Sequence, residues 1–203
     1  MPRYESKALP FSKELIGISS KTTMIHHDKL YAGYVAKLNE VTDKLVAARD
    51  NVELQTAANQ SYSELRALRL GETFAANGVY LHEAFFKMLG NAESETDELA
   101  HSIREKWESV EKFKTIFSAT GMAVRGWVVL AWDTQIGELK IYGSDAHNHG
   151  AVWCCIPIIV LDVYEHAYFI DYGSDRAAYI IDFWKNMNWA SANELFNKVK
   201  NWK

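Results

Sequence analysis

Two long stretches of helical periodicity, together reaching almost to residue 90, constrain the fold more than any other feature of the chain. From Lys21 to about Leu54, apolar residues recur three and four apart, through Leu30, Tyr34, Val35, Leu38, Val41, Leu45 and Val46, with no proline and no glycine after Gly33. This spacing predicts one long helix, or two in near continuity, with Gly33 as a weak point or a close-packing site. A second stretch runs from about Ala57 to Leu89 through Tyr62, Leu65, Leu68, Phe74 and Phe85, with interruption expected near Gly71 and Gly78. Joined by a short polar turn, the two form an antiparallel helical hairpin.

The pattern then changes. Gly90-Asn91 ends the hairpin, and the acidic run Glu93 to Glu98 marks a boundary that divides the chain into residues 1–90 and 91–203. Helix resumes over about Thr96–Ser118. After Gly121 the run Gly126 to Trp132 is rich in β-branched and aromatic residues, and Asp133 to Gly137 is a turn before Leu139 to Tyr142, which predicts a β-hairpin. A third strand, Ile156 to Leu161, leads into Asp162, and helices follow over about Tyr164–Tyr172, Arg176–Met187 and Ser191–Trp202. The expected class is α+β: an N-terminal long helical hairpin, then a domain with a small antiparallel three-stranded sheet and helices. Residues before Lys21 read as an extended arm.

The 203 residues carry a net charge of −4, which offers no broad basic surface to a phosphate backbone, so nucleic-acid binding is disfavoured. The longest apolar run, Ala151 to Leu161, is about half of the roughly 20 residues a membrane helix needs, and the first residues lack a secretory apolar core. The expected location is cytoplasmic. Cys154 and Cys155 are adjacent and strained for pairing, so they read as two buried reduced thiols.

Asp162 and His166 lie four apart at the end of the third strand. If a helix starts near Val163, the carboxylate sits at its mouth and the imidazole one turn in, both facing one point. Taken alone, an aspartate there reads as an N-cap. His26 and His82 lie near opposite ends of the two hairpin arms, which an antiparallel arrangement brings side by side. His27 points about 100° away from His26 on a helix and cannot share its target. Three imidazoles and a carboxylate are borderline donors suited to iron, manganese or zinc.

The flanking residues carry a resemblance. His26-His27-Asp28-Lys29 with Tyr34-Val35 and Leu38-Asn39, His82-Glu83-Ala84-Phe85-Phe86, Gly126-Trp127 with Leu130, Asp162-Val163-Tyr164-Glu165-His166-Ala167-Tyr168, and Phe183 to Trp189 together resemble the iron/manganese superoxide dismutases over nearly the whole chain. The resemblance implies a superoxide dismutase with His26, His82, Asp162 and His166 binding one iron or manganese ion per subunit. It implies Tyr34 in proton delivery, Trp127 and Trp184 lining the pocket, and a homodimer or dimer-based tetramer. Glu165 would reach across the interface to the partner's metal site, and Tyr168 would face that interface.

The family's hydrogen-bonding residue beside the metal is a glutamine or a histidine. Counting back from Pro157 places His147 there, with His149 the competing choice, and a histidine favours iron over manganese. Departures lie around the site: Leu30 and Tyr31 stand where a second histidine pair is usual, Phe86 and Tyr164 where tryptophan is common, and Val129 replaces a frequent second tryptophan. Tyr31 and Tyr80 read as helix-packing phenols. The departures motivate two alternatives, another oxygen-dependent oxidation at the same site or a non-catalytic metal-binding dimerisation module. A di-iron carboxylate site is disfavoured because the paired Glu-x-x-His motifs are missing.

Overall fold

The computed structural model describes residues 3–90 and 97–202, so most of the expected acidic boundary lies outside the described residues. The arm up to Ser19 has no regular element and is pinned to the first long helix by Asn39, whose side chain accepts from Tyr4 N–H and donates to Tyr4 C=O, both at 2.9 Å. Ser19 caps α1 (Ser20–Ile25) by accepting from Thr22 N–H. The chain continues without interruption through a π-helical turn, His26–Tyr31, into α2 (Ala32–Ala47). The expected helix to Leu54 stops short: Asn51 caps a separate α3 (Val52–Thr56), its side chain accepting from Leu54 N–H at 2.9 Å.

The second arm is α4 (Glu64–Lys87), capped by Ser63. It starts later than periodicity suggests because Asn59 accepts from Ser61 and Tyr62 N–H and donates to Tyr62 C=O, holding those residues in a turn. Gly71 and Gly78 do not interrupt it. Tyr34 meets Gly78, Val41 meets Gly71, and Leu45 clusters with Leu68, so α2 and α4 run antiparallel. Gly33 is neither a kink nor a close-packing site, since a Cβ there would meet nothing within 4 Å.

The helix expected as a single element before the sheet is two, α5 (Glu98–Trp107) and α6 (Val110–Ala123). Glu108 takes a φ of 70° and Ser109 then caps α6 by accepting from Lys112 N–H at 3.0 Å. The strands are β1 (Trp127–Asp133), β2 (Glu138–Ser144) and β3 (Cys155–Asp162), in order β2-β1-β3 and antiparallel throughout. Trp127 pairs with Ser144 on one side and Asp162 on the other. The β1–β3 register shifts between Leu130 and Ala131, where Pro157 has no N–H to give the ladder.

After β3 the chain stays extended at Tyr164, makes a 3₁₀ turn (Glu165–Ala167), and only then forms α7 (Phe169–Tyr172). Asp162 therefore closes a strand rather than opening a helix. Asp175 caps α8 (Arg176–Lys185) and Asn188 caps α9 (Trp189–Val199), which begins two residues before the expected Ser191. The core runs between α4, the sheet and the last helices, with Val128, Leu130, Ile159, Leu161, Phe113, Phe117 and Phe183 fully buried.

Cys154 and Cys155 are free, as expected, but not buried: Cys154 is exposed, and half-buried Cys155 donates from Sγ to Tyr142 Oη at 3.5 Å. They precede the covered part of β3. Among the described residues, no helix is long and apolar enough to cross a membrane.

Candidate metal centre

Each of the four predicted donors comes from a different part of the fold. The π turn carries His26, the penultimate turn of α4 carries His82, the end of β3 supplies Asp162, and the 3₁₀ turn supplies His166. In the π turn Ala32 N–H reaches back to His27 C=O, five residues, so one extra residue is absorbed beside His26. Periodicity alone gives no sign of it.

The four side chains meet. One donor atom from each lies within 4.8 Å of all the others. His26 Nε2 is 3.1 Å, His166 Nε2 3.2 Å and His82 Nε2 3.6 Å from the same oxygen, Asp162 Oδ2. The other carboxylate oxygen accepts from Tyr164 N–H at 2.9 Å, and the Asp162 carbonyl accepts from Tyr179 Oη at 2.8 Å. Those two bonds set the carboxylate so that Oδ2 faces the imidazoles. Tyr179 is a contributor that sequence reading missed, because it lies on α8 without a motif of its own.

His82 has the clearest signature of a ligand. Its Nδ1 donates to Gly78 C=O one turn back, which leaves Nε2 as the lone-pair nitrogen. That Nε2 is buried and has no hydrogen-bond partner. A buried unpaired acceptor is costly unless something else occupies it, and a histidine whose other nitrogen is tied to a carbonyl is the usual arrangement at a metal.

Electrostatics agree with this donor set. Burial opposes charge on Asp162, yet His166 and His26 hold its carboxyl well below the usual carboxylate range. Burial and the neighbouring His26 push His82 down to about 3, and burial pushes His26 down as well. Burial also acts to lower His166, but Asp162 outweighs it and raises the imidazole above its ordinary value. A carboxylate beside two buried imidazoles that burial keeps neutral suits a divalent or trivalent cation of borderline softness.

The wall of the cluster is aromatic. Phe85 and Phe86 lie 5.3 and 5.2 Å from the His26 ring, Trp127 stands edge-on to His82 at 5.0 Å, and Tyr164 stacks on His166 at 5.2 Å. Trp184 does not join them: it packs against Phe113, Phe117, Phe183 and Trp189, and its Nε1 donates to Ser118 Oγ. Tyr34 stacks on His82 at 5.3 Å and meets His147 edge-on at 4.6 Å. Gly78 makes this possible, because a Cβ there would come within 2.8 Å of the Tyr34 ring.

Between the two candidate loop histidines the geometry is unequal. His147 is 2% exposed, its ring 5.8 Å from His82, and its Nδ1 accepts from Trp127 Nε1 at 2.9 Å. His149 lies exposed on the loop. Asn77 on α4 donates to the His147 carbonyl at 2.9 Å, and Phe74 covers the ring at 4.5 Å. Both were missed from sequence, although they stand one and two turns before His82 on its helix. Burial pushes His147 down to about 4 and raises Tyr34.

Tyr31 is enclosed, and burial pushes it up to about 12, while Tyr80 is exposed and packs on Tyr4. Tyr168 is covered by its own chain at 3% exposure: it stacks on Tyr179 and accepts from Arg176 Nε at 3.2 Å. Phe169 and Ile170, which follow it, are exposed apolar residues close in sequence to Glu165.

Comparison with known proteins covers both halves of the chain. The family model described as iron/manganese superoxide dismutases, alpha-hairpin domain, matches residues 3–90, and the one described as iron/manganese superoxide dismutases, C-terminal domain, matches residues 95–195. The chain is 42% identical to an iron superoxide dismutase of Aquifex pyrophilus across 92% of its own length and 88% of the relative's. It is 34% identical to an iron superoxide dismutase of Cupriavidus metallidurans (95% and 96% covered). With a manganese superoxide dismutase of Halobacterium salinarum the identity is 30%, covering 98% of both.

Proposed function

We propose that this chain, which belongs to the iron/manganese superoxide dismutase family, converts two superoxide radicals to dioxygen and hydrogen peroxide at a metal held by His26, His82, Asp162 and His166. The observation that carries the site assignment is the convergence of three imidazole nitrogens on Asp162 Oδ2, with His82 Nε2 buried and unpaired. When bound, iron or manganese supplies one-electron exchange between trivalent and divalent states, so that one superoxide is oxidised and the next, with two protons, is reduced. Zinc has no such chemistry.

The chain's own residues then have distinct tasks. Asp162 stays ionised and contributes the negative charge, and His26 and His82 offer lone pairs because burial keeps them neutral. Trp127 donates to His147 Nδ1, which leaves the proton of neutral His147 on Nε2 as a donor. Tyr34, raised by burial, keeps its phenolic proton and faces the same pocket. Tyr34 can pass on protons that reduction consumes, while the His147 Nε2–H serves as a fixed hydrogen-bond donor beside the metal. Phe85, Phe86, Trp127 and Tyr164 exclude bulk water, which strengthens each charge interaction inside.

Iron is the favoured metal, because a histidine at 147 resembles the iron and metal-tolerant members. The working unit is a homodimer or a dimer-based tetramer, with exposed Glu165 reaching the partner's site. The exposed Phe169 and Ile170, close to it in sequence, support this reading. Metal-free protein reloaded separately with iron, manganese or zinc tests the function by the decay of added superoxide. Iron or manganese should restore dismutation and zinc should not. A full complement of iron or manganese without dismutation sinks the assignment.

A further inference from the structure

Tyr31 belongs to the turn that carries His26, yet the reaction leaves it without a task. It is 1% exposed, and its hydroxyl accepts from Lys7 N–H and donates to Glu83 Oε1, both at 2.9 Å. The second Glu83 oxygen pairs with Lys7 Nζ. The Lys7 carbonyl in turn accepts from His27 Nε2 at 2.8 Å. One phenol thus joins three segments: the N-terminal arm, the π turn and α4.

The residues so engaged are the immediate neighbours of two ligands. Glu83 follows His82, and His27 follows His26. The Tyr31 ring also lies against Phe86 at 6.0 Å, and Phe86 stands edge-on to His26 at 5.2 Å. A π turn has poorer hydrogen-bond geometry than an α turn and persists where its surroundings hold it. Here those surroundings are the arm and Glu83, both reached through one hydroxyl.

We propose that Tyr31 is a positioning residue for the metal cage. Through the Lys7 backbone and the Glu83 carboxylate, it clamps the His26-bearing turn to the His82-bearing helix and sets the spacing of those two imidazoles. The proposal rests on the assignment of His26 and His82 as ligands. Tyr31→Phe isolates the hydroxyl, because the ring and its packing are retained while both hydrogen bonds are lost.

The test uses iron-loaded protein and two readouts besides activity: the ferric electron paramagnetic resonance spectrum, and the rate of iron loss to excess chelator. Tyr31→Phe should alter the rhombicity of the ferric signal and release iron about tenfold faster, the scale of one hydrogen bond to a charged acceptor. Leu45→Ala, in the outer hairpin cluster with Val41 and Leu68, supplies a comparable loss of thermal stability far from the cage. If the two variants release iron alike and both keep the wild-type spectrum, Tyr31 only packs and the proposal is overturned.

Should Tyr31→Phe fail to fold, Glu83 decides. Glu83→Gln keeps an oxygen acceptor for the hydroxyl and should retain the wild-type spectrum, whereas Glu83→Leu should reproduce the altered one. Identical spectra for the pair overturn the proposal. Failure of the ligand assignment looks different: His82→Ala would then hold iron as tightly as wild type, and the clamp would have nothing to position.

Discussion

Gly33→Ala and Gly78→Ala make the same chemical change on the two arms of the hairpin and should act with opposite sign. Each replaces a helical glycine, and alanine is favoured there by about 0.8–1.0 kcal/mol. At Gly33 a new Cβ meets nothing within 4 Å, so the full gain should appear. For a chain of this length that corresponds to a rise in Tm of about 2–4 °C. At Gly78 the Cβ falls 2.8 and 2.9 Å from the near side of the Tyr34 ring. The ring cannot step aside cheaply, because it is stacked on His82 and wedged edge-on against His147.

Overpacking of this kind costs about 1–3 kcal/mol, which cancels or exceeds the propensity gain. Gly78→Ala should therefore leave Tm unchanged or lower it by up to about 2 kcal/mol's worth, near 4–8 °C. It should also reduce dismutation, since Tyr34 is displaced from the pocket. Thermal unfolding of both variants, each metal-free and iron-loaded, with superoxide decay measured alongside, checks the pair. Equal Tm gains at the two positions with full activity in Gly78→Ala would refute the close approach and the role built on it.

Trp127→Phe removes the donor to His147 Nδ1 inside a buried pair, which costs about 1–3 kcal/mol; calorimetry should show a lower Tm, and turnover should fall as His147 loses its fixed tautomer. Asp171 accepts from Ser19 N–H and Thr22 Oγ1, and although burial opposes its charge these bonds depress its folded-state value. Its contribution is present above the ordinary carboxylate value near 4 and is lost as pH falls through the depressed one. Asp171→Asn should therefore lower Tm at neutral pH and converge with wild type in more acidic solution, and a parallel pair of Tm curves would contradict it. Glu165→Ala should shift sedimentation toward monomer if the dimer is tied together there.

Much of the architecture is legible in the residues, and the misreadings have physical causes. The apolar spacing of Val35, Leu38, Val41 and Leu45 records the hairpin, and the β-branched run around Val128-Val129 records the sheet. Glycine conveys composition but not neighbours, so Gly33 and Gly78 look alike until Tyr34 is placed against one of them. Helix breaks such as Glu108 depend on a single backbone angle. Asp162 and His166 keep their four-residue spacing in either a helix or a strand-turn, so the motif survived a wrong account of its backbone. The bond from Trp127 to His147 spans the whole β1–β2 hairpin and its loop, and no local pattern announces it.

The most direct test of the four-residue metal centre is iron and manganese content per chain, measured together with dismutation rate, in wild type and in His82→Ala. Wild type should carry about one ion per chain and turn over superoxide, while His82→Ala, lacking a buried ring nitrogen that has no hydrogen-bond partner, should lose both. Retention of metal and activity by His82→Ala would contradict the account.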